Sequence, residues 1–292
     1  MGMLLLLAAG TARAQDAVAP AGQADERGDG RNVFFVPEKR QTLHATMFGA
    51  GWANTYDTYL SPLEYTGWNV SFMHETFRMT HWRHISTQGV WRVHASRTKN
   101  APDNHQMWGG RVSYQHTWHY NWRLLPQDDP HIPHRLTLRA GIGIKGDIGG
   151  LYNVTSGNNP GQVYASASLM ASVAADFHFR IAGHPFMVNA QLDAPFLGMM
   201  FSPDYWQPYY HIFVKGNYSR NIVCAWPGNC PTLHARLSLD IPVATHTLRI
   251  AYAADLLQST PNNLRQHTYL HTFMLGWVKR FAILKRPKSS VK

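Results

Sequence analysis

The stretch RVSYQHTWHYNWRL, Arg111 to Leu124, divides by parity into two unlike halves. One half is Val112, Tyr114, His116, Trp118, Tyr120, Trp122 and Leu124; the other is Arg111, Ser113, Gln115, Thr117, His119, Asn121 and Arg123. Strand side chains point to opposite faces with period two, so this is a strand with one aromatic face and one wet, basic face. A soluble sandwich would pack the aromatic row inward. A membrane barrel would turn it to lipid and line its interior with the arginines.

The same pattern recurs along the chain. RLTLRAGIGIK sets Leu136, Leu138, Ala140, Ile142 and Ile144 against Arg135, Thr137, Arg139 and Lys145, and VYASASLMASVAADFHFRI keeps phase from Val163 to Ile181. FMVNAQLDAPF (186–196), HARLSLDIPV (234–243), TLRIAYAADL (247–256) and TYLHTFMLGWVKRF (268–281) continue it, with weaker matches over 41–53, 66–79 and 87–97. Ten strands result, and about 9–11 residues suffice for each to cross a bilayer obliquely. The wet faces carry Arg92, Arg111, Arg123, Arg135, Arg139, Arg180, Arg236 and Arg249 with Glu75, Asp176, Asp193, Asp240 and Asp255. In a dry core such charges would be ruinous unless paired.

Connections give an independent test, because outer-membrane barrels keep short turns in the periplasm and long loops outside. If the first strand starts upward at residue 41, outside loops fall near 54–65, 98–110, 147–161, 197–232 and 257–267. Periplasmic turns then fall near 80–86, 125–134, 182–185 and 244–246. The expected fold is all-β: a single antiparallel up-and-down transmembrane β-barrel of about ten strands over 41–282. The long 197–232 connection contains YYHIFVKGNYS, which as one more hairpin would make twelve. Trp118, Tyr120, Trp122, Phe177, Phe179, Trp277 and Phe281 are expected on the lipid face near the periplasmic interface, where amphipathic rings collect.

The start, MGMLLLLAAGTARAQDA, has an apolar run from Met3 to Ala9 and a small-x-small site at Ala12-Arg13-Ala14, so residues 1–14 read as a signal peptide without the usual basic leader. Residues 15–40 read as a flexible periplasmic lead-in and 283–292 as a basic tail. Export to an oxidising compartment would let Cys224 and Cys230 of CAWPGNC pair across the Pro227-Gly228-Asn229 turn. A formal charge of +10 suits nucleic acid, but Arg and Lys are scattered singly along strands and no binding motif appears, so no nucleic-acid partner is expected.

The closing strand YLHTFMLGWVKRF, with Trp277 and Phe281, resembles that of bacterial outer-membrane β-barrels. The Trp-, His- and Met-rich tone of residues 41 to 282 is similar to a domain-of-unknown-function barrel family of Bacteroides-type bacteria. That resemblance implies an outer-membrane location, contact with outer-membrane lipid and passage through the barrel-assembly machinery, and no activity.

Function is read from the inward faces and the loops. A lumen of ten to twelve strands is narrow. Arg123, Arg135, Arg139, Asp176, His178, Arg180, Asp240 and Arg249 are expected to form a charge cluster at its periplasmic end, with Asp176 and Asp240 each bridging arginines into a plug. Were the lumen instead an open pore, its excess of arginine would favour anions. Trp206, Tyr209, Tyr210 and Trp226 are the loop aromatics able to meet an unspecified extracellular ligand. Two enzymatic or ligand-capturing alternatives stay open. Asp176, His178, Ser238 and Asp240 are the residues from which a barrel hydrolase would assemble a site, though no nucleophile-elbow spacing is present. The 17 histidines raise metal or haem capture, but they are dispersed and lack ligand spacing; no metal or cofactor is expected.

Overall fold

In a computed structural model, the described residues are 41–79, 84–100, 105–124, 135–157, 159–182, 184–205, 207–243 and 246–282. The signal, lead-in and tail assignments lie outside them. Strands follow in order: β1 (Gln41–Asp57), β2 (Ser61–Met79), β3 (Ile85–Lys99), β4 (Gln106–Arg123), β5 (Arg135–Asn153), β6 (Gly161–Ile181), β7 (His184–Phe201), β8 (Ile222–Ala225), β9 (Thr232–Val243), β10 (His246–Ser259) and β11 (Gln266–Ala282). A short helix, α1 (Tyr209–Phe213), sits between β7 and β8.

Every neighbouring pair is antiparallel, and the sheet closes into one ring: β11 pairs with β1 from Gln41↔Ala282 to Asp57↔Gln266, and β6 pairs with β7. The ring therefore holds ten strands. The additional strand β8 opposes the upper end of β7, Gly198–Phe201, while β9 opposes its lower part, Met187–Asp193. These are two segments of one wall position, separated by the Trp226–Pro231 excursion. The region offered as an extra hairpin is α1 and this continuation.

Burial fixes which face is inside. On β4, Ser113, Gln115, Thr117, His119 and Asn121 are buried, while Trp118 is 45% exposed beside exposed Tyr120 and Trp122. The aromatic half of the opening stretch thus faces out. The same inversion holds around the ring: Ile142, Leu169, Val173, Leu237, Ile250 and Leu275 are exposed, whereas Glu75, Gln88, Lys145, Asp193, Arg236 and Arg249 are buried. Such an exterior is stable against hydrocarbon, and closure of the ring pairs the strand edges there except along Ala194–Leu197 of β7. No helix among the described residues is long and apolar enough to cross a membrane.

Aromatic rings band both ends of this surface. Trp277 lies toward the end holding Gln41, hereafter the turn end, with Trp118, Tyr120 and Trp122 on β4. Trp52 and Trp68, opposite one another in register, and Trp108 opposite Tyr152 band the other, the loop end. Phe177, Phe179 and Phe186 stack at the turn end of β6 and β7. The side chain of Phe281 lies outside the described residues.

The strands outrun their sequence signal, mostly at the loop end, where β1 reaches Asp57 and β5 reaches Asn153. Ladder hydrogen bonds continue there although apolar alternation fades, because above the apolar band both faces are wet. Connections expected at 54–65 and 147–161 shrink accordingly to 58–60 and 154–160, and the length contrast between the two ends rests largely on 202–231. Glycine permits tight coiling inside: at Gly141 a Cβ would stand 1.8 Å from the Trp118 carbonyl oxygen.

Candidate functional site

The lumen is filled at mid-height by side chains that parity sends inward, and its hub is Glu75 of β2. One Glu75 oxygen accepts from Arg249 Nη1 at 2.7 Å and from Arg236 Nη1 at 3.1 Å; the other accepts from Gln88 Nε2 at 2.6 Å and Arg236 Nη2 at 3.2 Å. Arg249 also forks onto Asp240, Nε to Oδ1 at 2.6 Å and Nη2 to Oδ2 at 2.8 Å. This is a planar guanidinium matched to a planar carboxylate. Arg236 Nη2 donates onward to Gln191 Oε1 at 2.7 Å, and the Gln191 amide reaches Asp193 Oδ1 at 2.9 Å.

Asp193 carries the network across the barrel. It accepts from Gln115 Nε2 at 2.8 Å and Ser172 Oγ at 2.5 Å, and faces Arg92 at 3.7 Å. Arg92 then donates to Asp255 at 3.0 Å, which His234 Nδ1 also meets at 2.5 Å. Strands β2, β3, β4, β6, β7, β9 and β10 are thereby tied through buried polar groups, with Asp240 and Asp193 almost fully enclosed. Each charge has opposite charge or directed hydrogen bonds, the condition under which burial is tolerated.

The predicted cluster is partly brought together. Asp240 and Arg249 join at the hub. Asp176 pairs separately, with Arg139 Nε at 2.8 Å and Asn189 Nδ2 at 2.6 Å, and Arg139 also lies over the Phe77 ring at 4.8 Å. The two acids therefore belong to adjacent clusters rather than one. His178 is half-buried at the turn end, and Arg123 and Arg180 are exposed there; the side chain of Arg135 lies outside the described residues. Glu75, Gln88, Gln115, Gln191 and Asp193 are the additions. Their inward parity was readable, but the partners they meet across the lumen were not.

The hydrolase grouping does not assemble. Ser238 stands opposite Asn189 and Ala251, and its hydroxyl has no partner among the described residues. A different serine, Ser172, lies 2.8 Å from His119 Nε2. Its one proton goes to Asp193, so His119 donates to the serine oxygen, the reverse of nucleophile activation. Among the described residues, no three His, Cys, Asp or Glu side chains converge as a metal site.

Nearer the loop end the interior changes character. Leu60, Tyr65, Met107, Leu151 and Tyr164 form an apolar cluster inside the wall, and Tyr164 donates to Asp57. Tyr209 of α1 packs on this cluster: its hydroxyl donates to Gln162 Oε1 at 2.8 Å and accepts from the Val163 amide at 2.7 Å, and its ring meets Tyr59 edge-on. Tyr210 and Trp226 are exposed, Tyr210 under the Lys215 ammonium at 5.6 Å; Trp206 lies outside the described residues. Of the loop aromatics, Tyr209 is thus a structural contact and the other two face solvent.

Cys224 and Cys230, expected to pair, are not bonded to one another in this structure. Asn229 closes the turn instead, its side chain accepting from the Trp226 amide at 2.9 Å and donating to the Cys224 carbonyl at 2.8 Å. Cys224 is exposed on β8, while Cys230 is half-buried with its sulfur 3.2 Å from that of Met200. Burial pushes the Cys230 thiol up to about 11.

A closed antiparallel ring with an apolar outside and a charged, packed inside defines the architecture of an outer-membrane-type β-barrel. The chain belongs to the family described as "Protein of unknown function (DUF3316)", whose model matches residues 3–288. No curated protein matches it. Among solved structures it is similar to the transport unit of the autotransporter AIDA-I from Escherichia coli, at 6% identity and a TM-score of 0.44, covering 87% of this chain and 95% of that one. It is also similar to the outer membrane protease OmpT from Escherichia coli, at 8% identity and 0.44 over 87% and 100%. A third is an outer membrane channel from Pseudomonas putida F1, at 8% and 0.35 over 88% and 100%.

Proposed function

We propose that this chain is exported through residues 1–14, inserted into a bacterial outer membrane with the help of the barrel-assembly machinery, and serves there as a closed barrel that binds or scaffolds at the cell surface. The observation that carries this reading is the Asp240–Arg249–Glu75–Arg236–Gln191–Asp193 chain of buried contacts across the lumen. An open pore would leave these groups hydrated and separately exposed. Polar network and apolar cluster in series favour a barrel that does not conduct at rest.

Planar-bilayer recording of the refolded protein tests it. No steady conductance is expected from the parent chain, and a stable open level would overturn the reading in favour of a pore.

Orientation is tested on intact cells in mild reductant with a membrane-impermeant maleimide. Exposed Cys224 is expected to react well ahead of Cys230, whose high thiol pKa leaves little thiolate near neutral pH. Labelling of Cys224 only after the envelope is opened would place the β8 end inside.

A further inference from the structure

Among the described residues, the ladder of the barrel wall is broken along β7. Strand β7 is paired by β9 up to Asp193 and by β8 from Gly198, and Ala194–Leu197 between them has no partner on that side. Pro195 sits in this gap and lacks a backbone donor. The β6–β7 register shifts opposite it, at Leu169/Met170, so the strand bulges. Across the gap the chain leaves the wall as the Trp226–Pro231 turn.

Behind the break lies a cavity of about 90 Å3. Its lining includes the inward residues Arg111, Lys145 and Asp147 as well as Met199, whose side chain is on the outer face and 60% exposed. Inward and outward residues thus border one space. Its floor is the plug: Pro195, Thr232 and Leu257 line it, and two positions along the same strands stand Asp193, His234 and Asp255.

The two ends of this cavity differ in chemistry. At depth, Lys145 is paired with Asp147, which also accepts from Ser166, so these charges cancel. Arg111 is left over: among the described residues it has no carboxylate at ion-pair distance, and its guanidinium rests over the Tyr164 ring at 5.2 Å. On the side of the break the lining is apolar, with Met199, Met200 and Trp226, and Phe196 and Leu197 stand exposed beside it on the outer surface.

We infer that this cavity is a lateral binding site for a single acyl chain bearing an anionic headgroup, the head held by Arg111 and the chain leaving through the break at Pro195. An inorganic anion would use the cation but not the apolar side; a neutral hydrocarbon would use the apolar side but not the cation. Carboxylate and phosphate heads share the chemistry. The inference rests on the closed-lumen reading in one respect only: the plug is the floor of the cavity.

The test uses the full chain refolded in non-ionic detergent, with dansyl-labelled undecanoate as probe and laurate, dodecyl phosphate and dodecanol as competitors. Saturable binding is expected, displaced by laurate or dodecyl phosphate far better than by dodecanol; whichever of the two displaces better identifies the headgroup. Arg111→Gln is expected to weaken binding about tenfold or more, the loss of one charged hydrogen bond. Arg111→Lys should retain most of the affinity, and Met199→Trp, which fills the apolar side from outside, should weaken or slow uptake. Equal displacement by dodecanol, or unchanged affinity in Arg111→Gln, overturns the site. Conductance separates the two readings: a conducting parent that binds the probe with charge dependence sinks the closed lumen alone, and a silent parent without charge dependence sinks this site alone.

Discussion

Glu75→Ala is expected to destabilise the barrel by about 3–5 kcal/mol, because it strands buried guanidinium charge rather than merely deleting contacts. Arg249 keeps the Asp240 fork after the change, but Arg236 keeps no carboxylate, only the Gln191 oxygen and a long contact to the Met73 sulfur. Water and chloride entering to relieve it should produce a small anion-preferring conductance in a protein otherwise silent. The companion variant decides the cause. Glu75→Leu with Arg236→Met removes acid and base together and leaves the neutral Asp240–Arg249 pair, so most of the lost stability and the silent bilayer should return. Unfolding titrations in detergent and planar-bilayer recordings read both quantities. If the single variant unfolds like the parent, the inward charges line water and the network is not a plug.

Ile250→Arg and Ile142→Arg should each cost about 2–4 kcal/mol in lipid, the penalty for a guanidinium near the middle of the hydrocarbon. Both side chains are outward and exposed, Ile142 at 66%. Gln258→Arg is the control, since Gln258 is exposed farther up β10, beyond the apolar band and beside the Tyr269 hydroxyl. It should be nearly neutral. In a water-soluble barrel all three would be mild surface changes, so equal effects in a lipid unfolding titration would refute the inside-out assignment.

Facing was legible because it depends on parity alone. Trp118 and His119 differ by one position, and that difference decides which is bathed by lipid and which meets Ser172. The same reading located all ten ring strands, and it sent Glu75, Arg236 and Asp193 inward. It did not reveal who meets whom, because lumen partners are set by the stagger of a closed sheet. Gln88 and Gln191, 103 residues apart, hydrogen-bond at the centre of the barrel, and nothing local to either predicts the other. The charge cluster was consequently drawn too low, around Arg123 and Arg180 at the rim. Strand ends were cut short where both faces are polar and alternation carries no signal, as at Asn54 and Thr66. The α1 segment Tyr209–Phe213 was ambiguous because five mostly apolar residues fit a strand or a helical turn equally.

The continuous ladder between β1 and β11 has a bearing on how the molecule comes into being. Gln41 and Ala282 are register partners although nearly the whole barrel lies between them in sequence, so this ladder is among the most non-local contacts in the chain. Loop-closure entropy makes such pairings late and slow. Until β11 arrives, both β1 and the advancing edge strand offer a row of unsatisfied amides and carbonyls to any passing chain. The folding problem posed by this sequence is therefore one of timing: nascent edges must be sheltered until the last strand can zip the ring shut.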